Sequence, residues 1–312
     1  MANYGYTAGG YDIVDISAIT EKYDDVANTW TVKANLNTAK YDLVGFSVNS
    51  YGYTAGGSDA IDVSNITEKY DDIADTWAVK ANLNTARDGL AGFSLNNYGY
   101  TAGGTTGAIS DVTEKYDDAT DTWTTKQTLN TARKSLTGFS LNDYGYTAGG
   151  NTGAISAVTE KYDDAANTWT VKANLNTVKY ALAGFLLNSY GYITGGRNID
   201  GTYSAVTEKY DDTADTWTVK ANLNTARGYL AGFSFNSYGY TAGGYIAGGI
   251  ESAVTEKYDD TANAWTAKTN LNTARAYITG FDITPPPSIS QIYGLKLGKS
   301  FASRIRSKKR NR

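Results

Sequence analysis

One unit is written six times along this chain. Each copy runs through Tyr-Gly-Tyr-Thr-Ala-Gly-Gly, Thr-Glu-Lys-Tyr-Asp-Asp, Thr-Trp, Leu-Asn-Thr-Ala-Arg and Gly-Phe-Ser-Leu-Asn, with small variations. The copies open at Tyr4, Tyr51, Tyr98, Tyr144, Tyr190 and Tyr238, so the spacings are 47, 47, 46, 46 and 48 residues. A period near fifty with a glycine pair, tyrosines and a single tryptophan per unit predicts blade-type repeats. The array overrides the two-domain prior that 312 residues would otherwise suggest.

Within the unit that spans residues 90–126, each segment reads as a strand. Leu90–Leu95 is short, apolar and rich in small residues, as an innermost strand buried on both sides requires. Ala91 and Gly92 fit where sheets converge on an axis. Asn96-Asn97 is a turn that tolerates positive φ. Tyr98–Ala102 forms the next strand, and Gly103-Gly104 ends it. Val112–Tyr116 follows a loop, Asp117–Asp121 turns the chain, and Trp123–Lys126 is the outer strand. The expected fold is all-β: a six-bladed β-propeller of four-stranded antiparallel blades over residues 1–284. The chain starts on a second strand and its last repeat element, Tyr277–Ile283, is a first strand. The C-terminal strand is therefore expected to join the N-terminal blade and close the ring.

These motifs resemble the kelch repeat family, over residues 4–284. WD-type repeats fit less well, because no Gly-His or Trp-Asp pair stands at the required places. The proline that many kelch units carry before the arginine is Ala86 or Val178 here. The turn at Asp25–Trp30 is similar to a sialidase Asp-box, but Ala27 stands where that motif has glycine. The resemblance implies a six-bladed platform that most often binds proteins. It does not imply the copper-oxidase chemistry known on this fold, which needs histidine ligands and a Tyr–Cys crosslink.

The chain holds no histidine and no cysteine. Disulfides, thiol nucleophiles and histidine-based acid–base catalysis are thereby excluded. No cofactor or metal is expected. Doubled aspartates recur at the third-strand turns, but each turn offers too few oxygens for calcium and reads as turn-forming. Catalysis needs different groups aimed at one point, which near-identical copies do not supply, so the protein is expected not to be an enzyme. No basic-then-apolar leader opens the chain and no apolar stretch is long enough for a membrane span. A cytoplasmic or virion-associated location is the matching expectation.

Differences between copies mark where the template was free to change. All length variation falls between the glycine pair and the Thr-Glu: 9, 9, 8, 8, 10 and 10 residues. A second variable spot leads into the inner strand: Tyr41-Asp42, Asp88-Gly89, Lys134-Ser135, Tyr180-Ala181, Gly228-Tyr229 and Ala276-Tyr277. Both spots emerge on one face of an up-and-down blade, where a rigid scaffold places binding loops. The partner-binding rim is assigned to Tyr11, Asp12, Tyr41, Asp42, Asp59, Tyr180, Arg197, Asp200, Tyr203, Tyr229, Tyr245 and Glu251. The basic residue that ends each Leu-Asn-Thr-Ala-Arg run (Lys40, Arg87, Arg133, Lys179, Arg227, Arg275) is read as a loop anchor rather than a positive ring for an anion.

Residues 285–312 have no counterpart in the repeats. The three prolines at 285–287 are expected to act as a stiff spacer, and residues 288–312 carry eight basic side chains and no acid. The net charge of −4 therefore divides into a tail of +8 and repeats of −12. Leu295, Leu297 and Phe301 are expected to dock by apolar contact, with Arg304, Arg306, Lys308, Lys309 and Arg310 attracted to an acidic partner. A second copy of the propeller fits that description and would give a homo-oligomer. Nucleic acid is the weaker expectation for a partner, since no aromatic side chains interleave with the basic run 304–312. A non-enzymatic binding or scaffold protein, in one version a virion or phage-appendage component, is the expected function. The tyrosine-rich rim keeps a glycan-binding lectin as the alternative, and a glycan-active enzyme is the weaker form of it.

Overall fold

The computed structural model describes residues 3–284, and the expectations placed on residues 288–312 lie outside them. The described residues are all-β. Six four-stranded antiparallel sheets stand in a ring, and a two-stranded hairpin, Tyr245–Ile246 with Ile250–Glu251, decorates one of them. Blades are numbered here by the copy that supplies their second strand. Blade 3 shows the plan: Ala91–Leu95, Tyr98–Ala102, Thr113–Asp117 and Thr122–Lys126, from the axis outwards. Blade 1 is made from both ends of the repeat array. Thr279–Ile283 pairs antiparallel with Tyr4–Ala8, from Tyr4 opposite Ile283 to Ala8 opposite Thr279. The expected closure is present.

Several residues that recur in all copies hold a blade to its neighbour. The tryptophan of the outer strand is buried and crosses to the preceding blade. Trp123 Nε1 donates to Thr67 Oγ1 and to the Ala81 carbonyl, at 3.1 and 3.0 Å, and its ring meets Phe46 edge-on. Phe46 in turn lies against Gly99, where any Cβ would strike the ring. At the axis the inner strands come closer still. A Cβ on Gly138 would sit 2.5 Å from the Gly92 carbonyl oxygen, so glycine is what allows the inner strands to converge.

The charged residues of the template are structural too. Glu114 lies fully buried on the third strand. Its Oε2 accepts the Asn84 backbone N–H and Nδ2, while its Oε1 accepts Arg87 Nη2 at 2.9 Å. Arg87 Nη1 also donates to the Gly103 and Val112 carbonyls, and Nη2 to Thr101 Oγ1. Arg87 therefore anchors its loop to the following blade, and all six basic residues of this kind are 0% exposed, which removes the alternative of a positive ring. The doubled aspartates divide their work. Asp24 caps the turn by accepting the Val26 and Ala27 N–H groups. Asp72, the second of its pair, meets Lys22 of the preceding blade at 2.6 Å. That lysine also lies 3.7 Å above the Tyr4 ring. Equivalent pairs join every neighbouring blade around the ring, ending with Lys257 to Asp25.

Candidate functional site

With the recurring residues occupied by the blades, the positions that differ between copies gather at one end of the ring. The two variable spots form one surface. The first residue of each lead-in pairs with the first residue after the glycine pair: Tyr41 with Ser58, Asp88 with Thr105, Lys134 with Asn151, Tyr180 with Arg197, Gly228 with Tyr245, and Ala276 with Tyr11. Each bridge extends the ladder of its inner hairpin beyond the glycines and onto the rim.

The second residue of each lead-in builds the mouth of the central channel. Asp42, Gly89, Ser135, Ala181, Tyr229 and Tyr277 all adopt φ between 50° and 58°. In this left-handed conformation each N–H donates to the carbonyl of its neighbour around the axis. The bonds run Gly89 to Asp42, Ser135 to Gly89, Ala181 to Ser135, Tyr229 to Ala181, Tyr277 to Tyr229 and Asp42 to Tyr277, at 2.7–3.0 Å. The circuit is closed. Only one of the six is glycine, and the others accept a cost of order 1 kcal/mol each for φ > 0. All six residues line the cavity at this end of the channel.

The rim is divided around its circumference. Tyr11, Tyr41, Tyr180, Tyr203, Tyr229, Tyr245 and Tyr277 form one connected aromatic arc. Tyr229 and Tyr277 have ring centroids 4.1 Å apart. Tyr41 meets Tyr277 edge-on at 5.8 Å and Tyr11 at 6.2 Å. Tyr245 links Tyr277 to Tyr203, and Tyr180 meets Tyr229. The arc covers blades 5, 6, 1 and 2. The same four blades raise exposed aliphatic side chains at their loop tips: Ile199, Ile250, Ile13, Val14 and Ile61. Blades 3 and 4, whose loops are shortest, present Thr105, Thr106, Asn151 and Thr152 instead. Two hollows interrupt the arc. One, of about 470 Å³, lies between Tyr11, Tyr41, Asp59, Tyr245 and Tyr277. The other, of about 410 Å³, lies between Arg197, Tyr203 and the tip of the blade 6 hairpin.

The charged candidates fall into two groups. Asp12, Asp59 and Asp200 stand on the rim, but each spends a carboxylate oxygen on its own loop. Asp12 caps Val14 and Asp15, Asp59 caps Ile61 and Asp62, and Asp200 holds Thr202 through both N–H and hydroxyl. They shape loops first. Arg197 Nε donates to the Gly201 carbonyl, and the residue lines the second hollow beside Tyr203. Glu251 faces Tyr245 across the hairpin. Asp42 is the one acid in the channel mouth. Burial and the nearby Asp88 push its carboxyl up to about 7, against the opposing pull of Lys134.

Tyr277 belongs to a variable pair but is not among the residues assigned to the rim from sequence. It is the hub of the arc, and its signal is the aromatic-for-small exchange at a lead-in. Asp282 and Leu186 are likewise outside that assignment. They stand where Ser47, Ser94, Ser140 and Ser234 stand in the other inner strands, at the opposite end of the channel. A single acid replacing a recurrent serine was the available signal. The tail assignments, Leu295, Leu297, Phe301, Arg304, Arg306, Lys308, Lys309 and Arg310, lie outside the described residues.

No protein-family model matches this chain, and no curated protein matches it in sequence. Among solved structures, the one titled "Structure of YjhT" superposes with a TM-score of 0.73. It is 15% identical, and the match covers 84% of this chain and 97% of that one. At that identity the likeness shows the propeller fold alone.

Proposed function

We propose that this is a non-enzymatic binding propeller of kelch type, whose aromatic arc over blades 5, 6, 1 and 2 docks a protein partner. The observation that supports this most is the division of labour between positions. Residues shared by all copies are consumed in building and joining blades, whereas those that differ gather tyrosines and exposed aliphatic side chains on one contiguous part of one face. Tyrosine and isoleucine exposed together on a rigid surface are what a protein interface uses as anchors. The basic tail serves as a second attachment, to an acidic partner or a second copy, in keeping with a scaffold or virion-appendage role.

A lectin is the second reading, favoured by the hollow among Tyr11, Tyr41, Tyr245 and Tyr277. Tyrosine faces suit sugar rings, and Asp59 supplies an acceptor beside them. A photo-crosslinking residue at Tyr203 or Ile250, compared with one at Thr106 on the polar arc, separates the readings when combined with a glycan array. Discrete protein adducts from the first two positions alone support the protein interface. Array binding abolished by Tyr245→Ala supports the lectin. Adducts from Thr106 alone, with a blank array, would overturn the arc assignment.

A further inference from the structure

The channel has a second mouth, at the end where the inner strands turn outwards, and it differs chemically from the rim. A cavity of about 470 Å³ opens there. Its sides are the phenylalanines of the six inner strands, which are nearly fully buried and so offer only apolar edges. Above them one residue per blade points into the opening: Ser47, Ser94, Ser140, Leu186, Ser234 and Asp282. Asp282 is the only charged side chain among them.

Hydrogen bonding fixes what this ring can offer. Ser47 Oγ donates to the Asp282 carbonyl, and Ser140 Oγ donates to the Ser94 carbonyl. Having given up their protons, both hydroxyls turn lone pairs towards the channel and can only accept from it. Among the described residues the Asp282 carboxylate meets only its own backbone N–H; no other residue donates to it and no cation pairs with it. Burial pushes its carboxyl up to about 6. The ring therefore combines acceptors, one uncompensated acid and apolar walls that include Leu186, itself 39% exposed.

We infer that this end of the channel is a binding site for a small primary ammonium compound with an apolar body. The ammonium supplies three donors, which match the Asp282 carboxylate and the serine oxygens, while an alkyl chain fits the phenylalanine-lined cavity. A metal ion matches less well, because the ring offers a single carboxylate among four serine hydroxyls, short of the charged oxygen shell such a cation takes. The inference stands apart from the rim reading, since the two mouths share no side chain.

Titration calorimetry of the full-length protein with n-butylammonium chloride tests it, with n-butanol as the uncharged comparison. Butylammonium should bind and butanol should not. Asp282→Ser installs the residue of four other blades, so the fold is retained, and it should weaken butylammonium binding by roughly tenfold or more. Near pH 6, binding should also release protons, visible as a heat that depends on the ionisation enthalpy of the buffer, because a bound cation favours the ionised acid. Nα-acetyl-lysine methylamide distinguishes the source of the amine. Equal affinity would indicate a protein lysine as the natural occupant, and weaker affinity a free amine. Equal binding by the wild type and Asp282→Ser, or no butylammonium binding at all, would overturn the site.

Discussion

At the scale of single residues, the buried base–acid pair of each loop shows how strongly this fold depends on charge placed where water is absent. Arg87 satisfies two carbonyls, a threonine and Glu114 at once. Arg87→Met should cost about 3–5 kcal/mol, read by denaturant melts, because Glu114 would remain buried without its cation. Lys40 occupies the same place with fewer donors. It reaches the Ile66 carbonyl at 3.1 Å and Glu68 at 3.7 Å, leaving Thr54 Oγ1 without a partner. Burial, partly opposed by Glu68, lowers its pKa to about 8. Lys40→Arg should therefore stabilise the protein by about 1 kcal/mol in the same assay. The channel acids make a pH prediction. Asp42 and Asp282 are raised from an ordinary 3.8 to about 7 and about 6. The native state thus holds more protons than the unfolded chain between those values. Their contribution to stability is full below about pH 4 and is lost as pH rises through 6 to 7. The double variant Asp42→Asn, Asp282→Ser should lack this part of the slope, so the wild type minus variant difference should fall across that window in melts at stepped pH. A flat difference would place both carboxyls in water.

At the scale of the element, the strand pattern was legible because it is repeated. Glycine at Gly92, Tyr98–Ala102 and the Asn96-Asn97 turn each have a backbone or packing requirement that six copies state six times. Trp123 is the sharpest case. Its ring is 7% exposed and its N–H is satisfied by the preceding blade. Trp123→Ala should lower stability by about 3–5 kcal/mol and leave binding at the rim unchanged where the protein stays folded. Thermal melts and a rim-binding assay on the same sample check both halves. What the sequence left illegible was of two kinds. The second aspartate of each doubled pair looked like part of a turn, and only the neighbouring sheet reveals that it is the partner of a lysine about one repeat away. The left-handed conformation at Asp42, Ser135 and Tyr229 was hidden because it is imposed by the residue next around the axis, and nothing local demands it. The rim itself could be read from loop lengths, but its division into an aromatic arc and a polar arc needed the order of blades in space.

At the scale of the whole molecule, stability rests on closure. Thr279–Ile283 completes blade 1 on Tyr4–Ala8, and the junction of blades 6 and 1 carries the tryptophan, base–acid and lysine contacts of the internal junctions. Trp30 meets Thr255, and Arg275 reaches Thr7, Gly9 and Glu21. Ending the chain at Arg275 should open two edges at once, and limited proteolysis should then begin at the N-terminal strand. A truncated protein as compact and protease-resistant as the full chain would refute the role of that strand. The repetition that makes closure strong also makes it impartial. Nothing in the surface of Tyr4–Ala8 tells the chain's own last strand from the same strand of another molecule, and an internal first strand would satisfy much of the same ladder. Correct assembly is then decided by tethering. The two ends of one chain meet at a local concentration far above that of any other molecule, and dilution during folding is what keeps each ring to itself.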